Sequence, residues 1–221
     1  MPLETVFHRI LFVLSEGCSW RAIDTEEARW NSIYQYWNRW CREGLWQELL
    51  SRWMPELAGE LRFVDSTHVK VHQDGSNPSG GQEGQAMGRT KGGLNTKIHA
   101  AVDEEGNPAV MILGPGQEAD ISMAEEIAGS MDLGGLVGDK GYDSDAFRAW
   151  LNDRGIKPCI PPRSNRINPA RYSKGRYRKR HLVENFFERI KRFRRVATRY
   201  DKLSMTFFGF VCLAVTVSYS R

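Results

Sequence analysis

The sequence predicts an α/β protein, an α+β arrangement in which helices pack on a mixed sheet that follows a small all-helical module. Three observations carry this. Through residue 57, apolar side chains recur at helical spacing. At Leu61 the pattern switches to alternation, the period of a strand. Beyond it, extended runs and helical stretches take turns, the order of a mixed sheet with helices on it.

In the helical module (1–57), Val6, Phe7, Ile10, Leu11 and Leu14 share a face, and Gly17 supplies a stop. A second helix carries Trp30, Ile33, Tyr34, Trp37 and Cys41 on one side, a stripe expected in the core. Gly44 ends it and Leu45–Trp53 begins a third. Short helices joined by tight turns fit a helix-turn-helix-like DNA reader, with Arg39 and Arg42 as its candidate DNA contacts.

The remainder (58–221) opens with a strand in which Phe63, Asp65, Thr67, Val69 and Val71 form one row. Asp65 thus stands among apolar neighbours, where a charge needs a partner. His68 and His72 fall on the other row and read as surface residues. Residues 73–93 read as a mobile Gly-rich loop, with Arg89 and Lys91 able to reach a phosphate backbone. Runs at 94–104 and 108–113 make a hairpin around Glu105-Gly106-Asn107. A short helix covers 120–131. A strand at 134–138 ends at Asp139, the place where α/β sheets carry site residues. Asp143 reads as the N-cap of the next helix. A strand at 157–161 and a basic connection lead to a helix from Tyr177 to Lys191.

Wound at 100° per residue, that helix places Tyr177, Arg180, Glu184 and Lys191 on a stripe about 60° wide, apart from the apolar face of Leu182, Val183, Phe186, Phe187, Ile190 and Phe193. Two readings follow from spacing alone: a solvated face with ion pairs, or a metal ligand held beside a phosphate chain.

Charge favours a polyanion partner. The formal net charge is only +4, yet from Lys157 to Lys202 basic residues outnumber acids by thirteen. Arg178, Arg189, Arg192 and Arg195 in that segment are candidate DNA contacts. Four scattered cysteines form no C-x-x-C pair, which fits reduced thiols in a cytoplasmic protein. The apolar run 203–219 is short of a membrane span and reads as a buried helix, so no membrane association is expected.

Asp65, Asp139 and Glu184 are the acids a fold would bring together if the first and fourth strands were neighbours. Three carboxylates at one point repel each other unless a divalent cation neutralises them. Oxygen-only ligands select magnesium or manganese, and two such ions suit phosphodiester transfer.

At these residues the chain resembles the DDE transposases of bacterial insertion sequences, in the broad insertion-sequence-five family. Val64-Asp65-Ser66-Thr67 resembles the first-aspartate motif, and the run Gly88 to His99 the stretch after it. Gly138-Asp139-Lys140-Gly141-Tyr142-Asp143-Ser144 resembles the second-aspartate motif. Tyr177, Arg180, Glu184 and Lys191 reproduce the Tyr-Arg-Glu-Lys signature. In the N-terminal module, Trp20-Arg21 and the Trp30…Trp40…Gly44-Leu45-Trp46 pattern are similar as well.

The resemblance implies a ribonuclease-H-like catalytic core over 58–221. Asp65, Asp139 and Glu184 would be catalytic ligands of two Mg2+ ions, with Mn2+ able to substitute. The implied reaction is cutting at element ends and joining of the 3′-hydroxyls to target DNA. The partner is double-stranded DNA, bound by a homodimer at nucleoid-associated element ends. Members usually begin with a further segment before the helix near Thr5, so the module reads as a shortened form. A DNA-binding remnant that only occupies element ends is the alternative. A ribonuclease of the same fold ranks below both, because the Tyr-Arg-Glu-Lys helix belongs to the transposase pattern.

Overall fold

The computed structural model describes residues 1–26, 28–54 and 56–219. In chain order the elements are α1 (Leu3–Glu16), α2 (Trp30–Arg42), α3 (Leu45–Trp53), β1 (Leu61–Val71), β2 (Gly88–Thr90), β3 (Gly93–Val102), β4 (Pro108–Pro115), α4 (Ala124–Gly129), β5 (Gly135–Val137), α5 (Asp145–Asp153), β6 (Lys157–Cys159), α6 (Lys174–Arg178), α7 (His181–Ile190), α8 (Arg194–Ala197), β7 (Thr198–Arg199) and α9 (Ser204–Tyr219). The mixed α/β class is as expected from the sequence.

The chain forms two compact units. The first comprises Met1–Met54, Val69–Thr96 and Arg189–Arg221, and the second Pro55–His68 and Lys97–Glu188.

In the first unit, α1 stops where Gly17 takes a left-handed conformation (φ 64°) and returns its N–H to the Val13 carbonyl. The tryptophan stripe of α2 is core. Trp37 stacks on Phe210 of α9 with ring centroids 4.0 Å apart and touches Trp46 of α3 at 5.1 Å. Gly209 permits this approach: a Cβ there would lie 2.7 Å from Cys41 Sγ and 3.0 Å from the Trp46 ring. Ten residues of α9 are buried, because the helix is apolar all round and the other helices enclose it. Among the described residues no helix is long and apolar enough to cross a membrane.

The stretch 73–93 is not wholly a loop. A 3-10 turn at Gln73–Gly75 and the short β2 lie within it, and β2 pairs antiparallel with the start of β3, Gly88 opposite Asn95. Glycine-rich composition hid a strand whose stability comes from its partner. At the other end of the first unit's sheet, Lys70 and Val71 of β1 pair parallel with β7.

In the second unit the strand order is β4-β3-β1-β5-β6. The β1–β5 and β5–β6 pairs are parallel. Phe63 and Val64 of β1 are both buried, so the clean two-row alternation gives way to burial on both faces, as a central strand requires. The core there holds Val64, Leu136, Tyr142, Phe147, Leu151 and Ile160, with Ile127 from α4. Each such side chain contributes about 1.5–3 kcal/mol. The hairpin after β3 is fixed by Asp103, whose Oδ1 accepts from the amides of Glu105 and Asn107. Gly106 takes φ 85° in that turn.

Candidate active site

Parallel pairing of β1 with β5 sets Arg62 opposite Leu136 and Phe63 opposite Val137. The paired residues end at Phe63 and Val137, so Asp65 and Asp139 each lie two residues beyond the last pair, close enough for the Asp139 charge to act on Asp65. Asp139 lies two residues past the end of β5 and caps the following 3-10 turn, where its Oδ1 accepts from the Gly141 amide at 2.7 Å. A Cβ at Gly141 would lie 2.8 Å from that oxygen and displace the carboxylate from its present place.

The helix expected from Tyr177 to Lys191 is interrupted. α6 ends at Arg178, and α7 starts at His181 and stops at Ile190. Between them Arg180, Leu182 and Val183 donate three residues back, to Tyr177, Lys179 and Arg180, so the chain tightens to a 3-10 path and the uniform 100° winding fails there. The i, i+4 pair survives the break. Arg180 Nη2 donates to Glu184 Oε1, and its Nη1 donates to Asp65 Oδ2 at 2.7 Å. One guanidinium therefore bridges two of the three predicted acids.

Electrostatics follow from this placement. Burial pushes the Asp65 carboxyl up and nearby Asp139 adds to that, while Arg180 and the Ser66 amide oppose. Burial works against the Arg180 charge, but Asp65 and Glu184 outweigh it and strengthen the cation. Among the described residues, no three His, Cys, Asp or Glu side chains are arranged to hold a metal ion together. In this structure the charge between Asp65 and Glu184 belongs to Arg180.

Beside Asp65 lies a set of groups that the sequence did not single out. Asp120 Oδ1 accepts from Ser66 Oγ at 2.5 Å and from the buried Lys97 Nζ at 2.8 Å. Burial alone would raise the Asp120 pKa, but Lys97 and Ser66 hold it below the usual carboxylate range. His99, two residues along β3 from Lys97, is 0% exposed, and among the described residues neither ring nitrogen has a hydrogen-bond partner. Burial lowers its pKa to about 4, so the imidazole is neutral. Tyr142 is buried in the core with its hydroxyl lacking a partner among the described residues, and burial with three nearby aspartates keeps the phenol protonated. A lysine and a histidine within the apolar run of β3 were the available signal.

Asp143 does not cap α5. Ser144 does, its hydroxyl facing the Phe147 amide at 3.5 Å. Asp143 is instead buried: Oδ1 takes Arg148 Nε, and Oδ2 takes the Arg163 amide and Arg166 Nε. Burial would raise this carboxyl too, yet the Arg163 amide, Arg166 and Arg148 hold it low.

The predicted DNA contacts divide. Arg39, Arg42, Arg89, Lys91, Arg178 and Arg192 are exposed, with Arg39 over the Tyr36 ring at 4.8 Å. Tyr177 packs edge-on against Tyr172, and Arg189 lies 4.5 Å from the Tyr219 ring centroid. Lys191 is half-buried, and burial lowers its pKa. Arg195 corrects the expectation made for it. It is 4% exposed, donates to both carboxylate oxygens of Asp201 at 3.1 Å and to the Cys18 carbonyl, and so holds the first unit together from inside.

Comparison with known proteins defines the class. Residues 57–217 match the family described as "Transposase DDE domain", and residues 1–50 match one described as "Putative transposase of IS4/5 family". The chain belongs to the DDE-domain transposases, enzymes of insertion elements. More particularly, it is 34% identical over 134 residues, 58% of this chain and 100% of the relative, to a protein of Brucella ovis described as "Putative transposase for insertion sequence element IS6501". A chain in a crystal structure of a pre-cleavage Mos1 transpososome is similar at a TM-score of 0.31 and 10% identity, over 98% of this chain and 79% of that one.

Membership implies dependence on a divalent metal. Hard oxygens suit such an ion, and Asp65, Asp139 and Glu184 are the acids the sequence singled out for it; in this structure the Arg180 cation links two of them.

Proposed function

We propose that this enzyme cuts DNA at the ends of an insertion element and joins the freed 3′-hydroxyls to target DNA, through a ribonuclease-H-like core. Asp65, Asp139 and Glu184 would hold two Mg2+ ions, with Mn2+ able to substitute. The chemistry such ions supply is activation of the attacking oxygen and stabilisation of the leaving one. The observations that support this reading best are the parallel pairing of β1 with β5, two residues short of Asp65 and Asp139, and the Arg180 bridge from Asp65 to Glu184.

The chain's own groups have distinct tasks. Arg180, a cation strengthened by its carboxylates, would be the group to pair with a DNA phosphate were the acids occupied by metal. Tyr177 hydrogen-bonds to the backbone nearby, and Lys191 is a further cation for the DNA. Arg178, Arg189, Arg192, Arg89, Lys91, Arg39 and Arg42 add sequence-independent affinity for double-stranded DNA. Lys97 fixes Asp120, and through it Ser66, so that Asp65 keeps its orientation. The enzyme acts as a homodimer on paired element ends in the bacterial cytoplasm, at the nucleoid.

The test is strand cleavage of a duplex carrying the element's terminal inverted repeat. Asp65→Ala, Asp139→Ala and Glu184→Ala are each expected to abolish Mg2+-dependent cutting, with gel-shift affinity and circular dichroism close to wild type. Near-normal cutting by any one of them would overturn its assignment. A wild-type protein that binds the repeat but never cuts it would instead be an occupant of element ends.

A further inference from the structure

Ile167 is 94% exposed, whereas the next most exposed large apolar side chain, Leu3, is 60% exposed. A single exposed isoleucine is ordinary, but the setting of this one is not. It follows Arg166 in the stretch between β6 and α6, and that stretch is tied to the loop after Asp139. Arg163 donates from Nε to the Lys140 carbonyl and from Nη2 to the Gly141 carbonyl, each at 3.1 Å. The Arg163 amide and Arg166 Nε both reach Asp143 Oδ2, at 2.8 and 2.7 Å, and Arg166 also pairs with Asp145. Pro161, Pro162 and Pro169 restrict the backbone on either side. The apolar tip is thus presented on a braced support and not on a loose loop.

Charge selects the partner. Asn165 and Asn168 flank the tip, and Arg171, Lys174, Arg176 and Arg178 follow it with exposed side chains. An apolar side chain projecting from a basic, pre-organised surface is the arrangement by which proteins wedge open a base step, offsetting the unstacking cost with backbone contacts. Duplex DNA answers both features at once, with phosphates for the cations and a base step for the isoleucine.

We infer that Ile167 is a wedge that enters the DNA duplex beside the cut site and unstacks a base step there. The inference rests on the transposase reading above. Arg163 touches Lys140 and Gly141, one and two residues past Asp139, and Ile167 lies four residues further along, at most about 14 Å of extended chain. The Arg163 side chain, its hydrogen bond and the residue back to Asp139 add about 14 Å more, so at about 3.4 Å per step the wedged step falls within about eight base pairs of the cut.

The experiment uses the full chain and a duplex that joins the element's terminal inverted repeat to its flank. 2-Aminopurine is substituted singly at each of the about eight positions on either side of the junction that the wedge can reach, and fluorescence is read at saturating protein in Ca2+, without cleavage. Wild type is expected to raise the signal severalfold at one or two adjacent positions. Ile167→Ser should leave it at the level of free duplex, and Ile167→Leu should restore it. An equal rise with Ile167→Ser, or a wild type that shifts the duplex on a gel yet raises no position, would overturn the wedge alone. A wild type that does not bind the duplex overturns the wedge and the transposase reading together.

Discussion

Arg180 Nη1 lies 2.7 Å from Asp65 Oδ2, so a basic residue of the signature and the first aspartate form a direct ion pair. The pair is only about one-fifth exposed on each side, and Arg180 also serves Glu184. Its cation and a metal ion would compete for the same carboxylates.

Arg180→Gln is therefore expected to separate two properties that move together in most active-site variants. Mn2+ affinity without DNA, measured by water-proton relaxation, should rise about tenfold, a gain of about 1.4 kcal/mol. Cleavage of end DNA should fall at least as far, because the phosphate loses its charged partner. Weaker Mn2+ binding in this variant would show that Arg180 supports the metal site and does not compete with it.

Removing the carboxylate that braces the 161–173 stretch should be costly. Asp143→Ala leaves Arg148 buried without its counter-ion, and about 3 kcal/mol of stability should be lost at pH 7. The Asp143 pKa is depressed in the folded state. Its contribution is present above the unfolded carboxylate pKa and disappears as pH falls through the folded one. The gap in urea midpoint between wild type and Asp143→Ala should accordingly narrow in acid. A gap that stays constant down to pH 2 would remove the ion-pair explanation.

His99 gives a second, separable pH dependence. Its folded pKa is about 4 and its ordinary value 6.5. Between these, the unfolded chain takes up a proton that the folded chain refuses, so stability falls as pH drops through that window. The loss is about 3 kcal/mol for the whole shift. His99→Gln cannot titrate. Its unfolding free energy should vary less between pH 7 and pH 4, and parallel curves for the two proteins would contradict the neutral buried imidazole.

Much of this geometry was readable beforehand, and the reason differs by residue. Strand patterns showed Asp65 on one strand and Asp139 after another, and made them adjacent only if those strands were neighbours; the β1–β5 pairing, which periodicity cannot reveal, supplies that condition. Arg180 and Glu184 meet at i, i+4, a local rule that survived a break in their helix. The Lys97–Asp120 pair and the Arg163–Asp143–Arg166 cluster left no such trace. Their partners are twenty or more residues apart, and only the folded chain selects them. Arg195 shows the limit of charge counting: within a basic run, an arginine bound for the interior looks like those bound for solvent.

The first unit is assembled from three stretches of chain, and α9 closes its core against Trp37 and Trp46. On the ribosome, α1 to α3 emerge long before the helix they must enclose. At 5–20 residues per second, the tryptophan surface waits on the order of ten seconds for its partner. Completion of that unit is thus a checkpoint on synthesis: a chain halted before α9 carries Asp65, Asp139 and Glu184 but cannot bury its own tryptophans. Such a product is a substrate for chaperones and proteases before it can be a nuclease.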